Sequence, residues 1–166
     1  MSVNGVLLLV ATAAALLLAG CTGEAAPAVP PAPAPSQVRV SGLFAVATRT
    51  EGSVVIDGRG YVLYRSALDR PSPPRFACTG TCTDRWLPVP AAAGLQLSGI
   101  NRELVGTSRR ADGRIQLTLG GWPLYEYAGD RTPGDINGRG VDGSWWLVRP
   151  DGSLDNGNAV SSGPAG

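Results

Sequence analysis

The chain of 166 residues lacks lysine and histidine, and its 14 basic residues are all arginine. Without histidine the protein is missing the commonest general base and the commonest metal ligand. The arginines are nearly balanced by 13 acidic residues, which leaves a net charge of +1 and argues against a nucleic-acid partner bound through phosphate neutralisation. No motif specifies a reaction, so the sequence predicts no catalytic residue, no metal site and no cofactor.

The chain also lacks an apolar run long enough to cross a bilayer, which takes about 20 residues. Residues 6–19 form a run of 14 in which only Thr12 is polar, a length typical of the core of an export signal. The run ends at residues 18–21 with Leu-Ala-Gly-Cys. This sequence resembles the lipobox of bacterial lipoproteins, which implies cleavage before Cys21 and a diacylglycerol on its sulfur. An ordinary secretory signal followed by a chance cysteine is the alternative.

Composition divides the chain into four segments. Residues 1–20 are predicted to be a lipoprotein signal peptide, and residues 21–37 the lipidated cysteine with a Pro/Ala-rich linker that favours polyproline II. Residues 38–150 are the predicted folded domain. Residues 151–166, rich in glycine, serine and asparagine, are predicted to be a flexible tail. The expected location is the extracytoplasmic face of the cell membrane, which the lipid on Cys21 would contact.

Within the predicted domain the sequence repeats itself. Residues 60–70 align with residues 121–131 at an offset of 61, and Gly, Leu, Tyr, Asp and Arg recur in register. At the same offset lie the dipeptides Glu-Gly at 51–52 and Asp-Gly at 112–113. Both separate two runs of strand-forming residues and therefore indicate hairpins.

The 23 glycines and 14 prolines favour many turns and short strands over long helices. The sequence predicts an all-β fold: a small sandwich or barrel-like domain of two tandem, pseudo-symmetric repeats of short antiparallel strands, about residues 42–89 and 101–150. The predicted strands are residues 44–49, 53–57, 61–66 and one near Trp86, then residues 104–109, 114–119, 122–127 and 145–149.

Three strand patterns make sharper predictions. Residues 115–119 alternate between apolar and polar types, which predicts one buried and one solvated face. Residues 62–64, Val-Leu-Tyr, do not alternate, so this strand should be covered on both sides. Pro123 cannot donate a backbone hydrogen bond and is expected at a sheet edge or a bulge.

One element carries a family resemblance. Residues 125–130, Tyr-Glu-Tyr-Ala-Gly-Asp, fit the pattern Tyr-x-aromatic-x-x-Asp. The pattern resembles the signature of a predicted bacterial lipoprotein family that carries it in a secreted repeat of unknown function. Residues 121–152 are similar to the second repeat of that family, and residues 78–88 are similar to the end of its first. The first copy of the motif, residues 64–69, departs from the pattern because Ser66 stands at the aromatic position. The resemblance implies location and architecture but no biochemical role.

Two cysteines remain if Cys21 is lipidated. Three residues separate Cys78 and Cys82 in Cys-Thr-Gly-Thr-Cys, and outside the cytoplasm such a pair is most simply a disulfide. Gly80 at the centre can adopt the backbone angles of a tight turn. A redox or soft-metal pair is the alternative, although redox motifs usually place two residues between the cysteines and a zinc site would need two further ligands with no histidine available.

Asp69 and Asp130 occupy the same position in the two repeats. A catalytic dyad of carboxylates is one interpretation. The favoured interpretation is that each caps the turn after its strand and pairs with the adjacent Arg70 or Arg131. The loop at residues 130–142 also collects oxygen ligands that suit calcium, but a structural glycine-rich turn is favoured there.

Aromatic residues recur along the predicted strands, and we expect most of them to form the core. Trp145 and Trp146 are adjacent and must face opposite sides of a strand, so one of them is a candidate surface platform. The candidate ligand-binding residues are Tyr125, Tyr127, Asp130, Trp145 and Trp146.

The predicted function is a non-catalytic binding or structural module of the cell envelope, with an envelope glycan or another envelope protein as partner. The alternative is an envelope enzyme that uses Asp69 or Asp130, or a redox lipoprotein that uses Cys78 and Cys82.

Overall fold

The computed structural model describes residues 40–155, and most elements in this part of the chain are β-strands. The strands are β1 (Gly42–Ala47), β2 (Ser53–Asp57), β3 (Tyr64–Ser66), β4 (Arg70–Pro71), β5 (Pro74–Arg75), β6 (Trp86–Pro88), β7 (Gln96–Ser98), β8 (Val105–Arg109), β9 (Ile115–Leu119), β10 (Trp122–Pro123), β11 (Tyr125–Tyr127) and β12 (Trp145–Leu147). Between them lie one α-helix, α1 (Cys82–Arg85), and two 3₁₀ helices, Arg102–Leu104 and Val141–Gly143. The prediction of an all-β fold is confirmed.

No helix between residues 40 and 155 has the length and apolar character needed to cross a membrane. The predicted signal peptide, Cys21 and the Pro/Ala-rich linker lie outside the described residues, as do residues 156–166.

Within the described part, the strands form four small sheets that do not close into a barrel. The central sheet has the order β12-β3-β11-β6, one outer sheet has the order β2-β1-β7, the other has the order β10-β9-β8, and β4 pairs with β5. The antiparallel prediction fails at one place, since β7 runs parallel to β1. A parallel pair needs a crossover connection, and here everything from β2 to β6 lies between the two partners.

Both predicted hairpins are present. In the β1–β2 hairpin Ala47 pairs with Ser53, and in the β8–β9 hairpin Arg109 pairs with Ile115. The glycine of each turn, Gly52 or Gly113, has a positive φ, of 72° and 85° respectively. This conformation is readily adopted only by glycine, so these residues determine where the chain reverses.

The two repeats exchange their last strands. β6, the last strand of the first repeat, pairs with β11 of the second, and β12 of the second repeat pairs with β3 of the first. At the centre β3 pairs with β11, with Tyr64 opposite Tyr125. Because these tyrosines are equivalent positions of the repeats, a pseudo-twofold axis passes between them. The last strand of each repeat therefore pairs with a strand of the other repeat.

The buried residues form two clusters, and the central strands contribute alternate side chains to each of them. The aliphatic core contains Val40, Leu43, Val55, Leu63, Val89, Ile100, Leu117, Leu119, Leu124 and Val148. The aromatic cluster contains Val54, Val62, Tyr64, Cys78, Trp86, Tyr125, Trp145 and Leu147. Leu63 and Tyr64 belong to different clusters, as do Leu124 and Tyr125, because successive side chains of an extended chain point in opposite directions. The predicted two-sided burial of residues 62–64 is confirmed.

The prediction of a solvated face on residues 115–119 is wrong. The polar residues Gln116 and Thr118 are only 1% and 3% exposed. The Gln116 amide donates to the carbonyl of Leu124 at 2.7 Å and accepts from the Arg110 guanidinium. The burial of these polar groups is tolerated because they are hydrogen-bonded, which alternation in the sequence does not reveal.

The predicted strand 122–127 is divided between two sheets. β10 is the edge strand of one outer sheet, whereas β11 lies inside the central sheet. Pro123 is in β10, so its predicted edge position is confirmed.

The fold continues past the predicted domain boundary at residue 150. Asp155 is buried and accepts a hydrogen bond from Arg139 Nε at 2.8 Å. The carbonyl of Gly152 accepts a hydrogen bond from Arg65 at 2.5 Å. The first five residues of the predicted flexible tail therefore belong to the folded domain, because their backbone and carboxylate groups bond to it.

Candidate functional site

Equivalent aromatic residues of the two repeats meet at the pseudo-twofold axis, since Trp86 pairs with Tyr127 and Trp145 with Ser66, the matching position of the first repeat. Tyr64, Trp86, Tyr125 and Trp145 are all buried. The two indole rings stack with centroids 3.8 Å apart and an angle of 7° between their planes. Tyr64 meets Trp86 edge-on at 5.5 Å, and Tyr125 meets Trp145 edge-on at 5.1 Å. Ring pairs of this kind contribute about 0.5–1.5 kcal/mol each beyond the burial of their area, so these four rings stabilise the contact between the repeats.

Each motif tyrosine interacts with the motif aspartate of the other repeat. The Tyr64 hydroxyl donates to Asp130 Oδ2 at 2.7 Å and accepts from the Gly138 amide at 3.3 Å. Asp130 Oδ1 accepts from the Asn137 amide at 2.9 Å. Burial raises the pKa of Asp130 above its ordinary value, and the hydrogen bonds from Tyr64 and Asn137 offset part of this rise.

The equivalent pair, Asp69 and Tyr125, is less well bonded. Asp69 Oδ1 accepts from the Ala77 amide at 2.6 Å, but Asp69 Oδ2 and the Tyr125 hydroxyl are buried without a well-formed hydrogen bond. Burial raises the pKa of Asp69 to about 6; the hydrogen bond from Ala77, the Tyr125 hydroxyl and the positive charges of Arg110 and Arg65 oppose this rise. The pseudo-symmetry of the backbone is thus not matched in its polar contacts.

The structure does not bring the two aspartates together as a dyad. Asp69 bonds the Ala77 amide, whereas Asp130 bonds the Tyr64 hydroxyl and the Asn137 amide. The expected ion pairs with the adjacent arginines are not formed among residues 40–155, because both carboxylates turn inward. Each carboxylate does bond a backbone amide of the loop that follows it, which agrees with the expected role in shaping that loop.

Arg110 lies close enough to Asp69 for its positive charge to lower the pKa of that carboxyl, and no motif in the sequence indicated its role. Its buried guanidinium donates to the carbonyl of Cys78 at 2.5 Å and lies 4.7 Å from the centroid of the Phe76 ring. Arg49 aligns with Arg110 at the 61-residue offset and is exposed, although the strand pairing of the two hairpins places Arg110 at the position of Thr48. Both arginines lie in the hairpin turn of their repeat, and no local signal distinguishes the buried one.

The predicted disulfide between Cys78 and Cys82 is present, with an S–S distance of 2.00 Å. Cys78 is buried in the aromatic cluster, and Cys82 begins α1. Gly80 has a φ of 58°, the left-handed conformation expected of this tight turn. The bond therefore attaches the short helix to the edge of the core.

The loop at residues 130–142 uses its oxygen atoms internally. The Asp135 carboxylate accepts from the Arg131 amide at 2.8 Å, and from the Thr132 amide and hydroxyl at 3.0 and 2.9 Å. These bonds lower the pKa of Asp135. Asp142 forms an ion pair with Arg85 at 3.5 Å. In the part of the chain that the structure describes, no three His, Cys, Asp or Glu side chains are placed to hold one metal ion.

The candidate ligand-binding residues divide into two groups. Tyr125, Asp130 and Trp145 are buried, whereas Tyr127 and Trp146 are only half-buried. The Tyr127 ring lies 4.5 Å from the Trp86 ring, and its hydroxyl accepts from Arg85 at 3.3 Å. Only Tyr127 and Trp146 of this set therefore present part of an aromatic ring to solvent.

Comparison with known proteins gives one family and no individual relative. A sequence model of the family described as a secreted repeat of unknown function matches residues 45–90 and 106–149. No curated protein and no solved structure matches the chain. The two matched segments run from β1 to just past β6 and from β8 to just past β12, so each covers one repeat of the fold. Because they include more than half of the 166 residues, the chain belongs to the family of secreted repeats of unknown function.

Proposed function

We propose that this protein is a lipid-anchored, extracytoplasmic lipoprotein whose folded domain is a non-catalytic binding or structural module of the cell envelope. The secreted nature of its family supports an extracytoplasmic location. The disulfide between Cys78 and Cys82 is consistent with that location, because disulfides persist in oxidising compartments. The Leu-Ala-Gly-Cys sequence at residues 18–21 supports attachment through a lipid on Cys21.

The observation that carries the non-catalytic part is the bond between Tyr64 and Asp130 across the repeats, at 2.7 Å. A general acid or base must come within hydrogen-bonding reach of its substrate. Asp130 instead has one oxygen bonded to Tyr64 and the other to the Asn137 amide, and it is buried. The motif carboxylate therefore serves the contact between the repeats.

The partly exposed rings of Tyr127 and Trp146 are the proposed contacts with an envelope glycan or protein. Aromatic side chains offer a large apolar face, and tyrosine and tryptophan keep a polar group at its edge. Arg85 lies beside Tyr127, with its guanidinium 5.5 Å from the ring centroid, and adds a charged donor to this surface.

The anchor is tested by mass spectrometry of the mature protein purified from bacterial membranes after expression of the whole chain. A mature chain that begins at Cys21 and carries a diacylglycerol on the sulfur is expected, and the Cys21→Ala variant should leave the membrane fraction or remain uncleaved. An unmodified thiol at Cys21 would refute the anchor.

The binding role is tested by capture of solubilised native envelope material on the immobilised acylated protein. The Tyr127→Ala, Trp146→Ala double variant should lose the captured component, while Tyr61→Ala, which truncates another half-buried ring, should retain it. A redox lipoprotein would instead show thiols at Cys78 and Cys82 that cycle under mild reductant. Capture that depends on Asp69 and Asp130 but not on the two rings would refute the binding surface.

A further inference from the structure

The β4–β5 hairpin places two arginines side by side. Arg70 and Arg75 are direct partners across this hairpin, and Pro71 pairs with Pro74. Side chains directly opposite each other in an antiparallel pair have Cβ atoms about 5 Å apart. The two side chains therefore start from neighbouring positions on one short hairpin, and their guanidinium groups can reach the same ligand.

Neither arginine has a partner within residues 40–155. Both are exposed, and neither forms an ion pair, a side-chain hydrogen bond or a ring contact with any of these residues. Their neighbour Asp69 turns inward, to the Ala77 amide. Like charges placed directly opposite destabilise a strand pair, so the fold gains nothing from this arrangement, whereas a bound anion would neutralise both charges.

The hairpin is restrained by its own prolines and by one hydrogen bond at its base. Pro71, Pro73 and Pro74 restrict its backbone, since the proline ring fixes φ. The bond from the Ala77 amide to Asp69 Oδ1, at 2.6 Å, closes its base. Because the loop has little conformational freedom to lose, docking to a surface costs less entropy than it would for a flexible loop.

Leu68 adds an apolar group next to this charge pair. It is 69% exposed, more than any other large hydrophobic side chain in the described part of the chain. An apolar side chain beside basic residues is typical of segments that bind the interface of an anionic membrane. Arginine also suits phosphate, because its planar guanidinium donates two parallel hydrogen bonds.

We propose that residues 68–75 dock on anionic phospholipid headgroups, with Arg70 and Arg75 on the phosphates and Leu68 in the apolar boundary. The membrane concerned is the one to which Cys21 is tethered, so this inference rests on the proposed function. A tether alone leaves the orientation of the domain free, whereas docking of this hairpin would turn one fixed face of the domain toward the membrane.

The test is co-sedimentation of residues 22–166, which contain the whole described fold and no acyl group, with phosphatidylcholine vesicles with or without phosphatidylglycerol. Binding should require phosphatidylglycerol. Each basic residue near an anionic surface contributes about a five-fold change in affinity, so Arg70→Gln with Arg75→Gln should weaken partitioning roughly thirty-fold. Leu68→Ser should weaken it several-fold.

The matched control is Arg49→Gln with Arg131→Gln. These two arginines are also exposed and without a side-chain partner among residues 40–155, so the control removes the same charge from elsewhere. It should keep most of the binding, and unchanged tryptophan fluorescence would show that all variants are folded. Equal losses in the two double variants, or binding that ignores phosphatidylglycerol, would overturn the proposal. Tighter binding to a soluble phosphate polymer than to vesicles would also overturn it.

The outcome does not depend on the anchor, because the tested chain lacks the acylated cysteine. An unmodified Cys21 in cells would refute the tether while leaving the vesicle measurement intact.

Discussion

The substitutions Tyr64→Phe and Tyr125→Phe each remove a tyrosine hydroxyl, and they do so at equivalent positions of the two repeats. The structure predicts different consequences. The Tyr64 hydroxyl donates to Asp130 at 2.7 Å and accepts from Gly138, whereas the Tyr125 hydroxyl is buried without a well-formed hydrogen bond. The pair of substitutions therefore measures the Tyr64–Asp130 bond against an internal control of equal size and burial.

The magnitude follows from the bond that is lost. A hydrogen bond to a charged group contributes about 1.5–3 kcal/mol, and a buried acceptor left without its donor adds to the loss. We expect Tyr64→Phe to lower the free energy of unfolding by about 2 kcal/mol, which for a domain of this size lowers Tm by roughly 8 °C. Tyr125→Phe should change the free energy of unfolding by less than about 0.5 kcal/mol, because its hydroxyl contributes no complete bond.

Urea unfolding followed by tryptophan fluorescence measures both values, because Trp86 and Trp145 stack at the repeat contact and report its loss. A double-mutant cycle with Asp130→Ala should assign most of the Tyr64→Phe loss to this pair. Equal losses at the two tyrosines, or a larger loss for Tyr125→Phe, would refute the inference that Tyr64 and Asp130 join the repeats.

Four further predictions concern the same region. Burial raises the folded-state pKa of Asp69 to about 6, so the folded protein binds this proton more tightly than the unfolded chain. The free energy of unfolding should then rise as pH falls from about 7 to 4, by at most about 3 kcal/mol, and Asp69→Asn should remove that rise in urea titrations. Gly138→Ala places a Cβ 2.9 Å from two rings of the aromatic cluster and should cost about 3 kcal/mol in thermal unfolding. Gly80→Ala, whose Cβ meets open space, should cost about 1 kcal/mol through its positive φ alone. Reduction of the disulfide should cost about 2 kcal/mol, as expected for so short a loop, and calorimetry should still find a cooperative transition.

Local features of the sequence predicted much of the fold. The hairpins at residues 51–52 and 112–113 follow from glycines beside strand-forming runs, and the disulfide follows from cysteine spacing and compartment. The predicted core role of the aromatic residues holds for the four rings at the pseudo-twofold axis.

The candidate site was only partly predictable, because its contacts join residues far apart in the chain. The tyrosine of one repeat bonds the aspartate of the other, 66 positions away, instead of the arginine beside that aspartate. Arg110 is buried and Arg49 is exposed, although each lies in the hairpin turn of its repeat. Such differences arise from what packs against each side chain, which a single sequence does not contain.

By itself, the sequence determined the β-strand class, the positions of the turns, the covalent bridge and the duplication, because each depends on residues that are close in the chain or on a repeated pattern. Only the tertiary structure decided that the repeats exchange their last strands, that the polar side of β9 is buried, and that Arg70 and Arg75 stand opposite each other without a partner among residues 40–155. Those outcomes depend on which distant segments compete for the same hydrogen bonds and the same apolar surface.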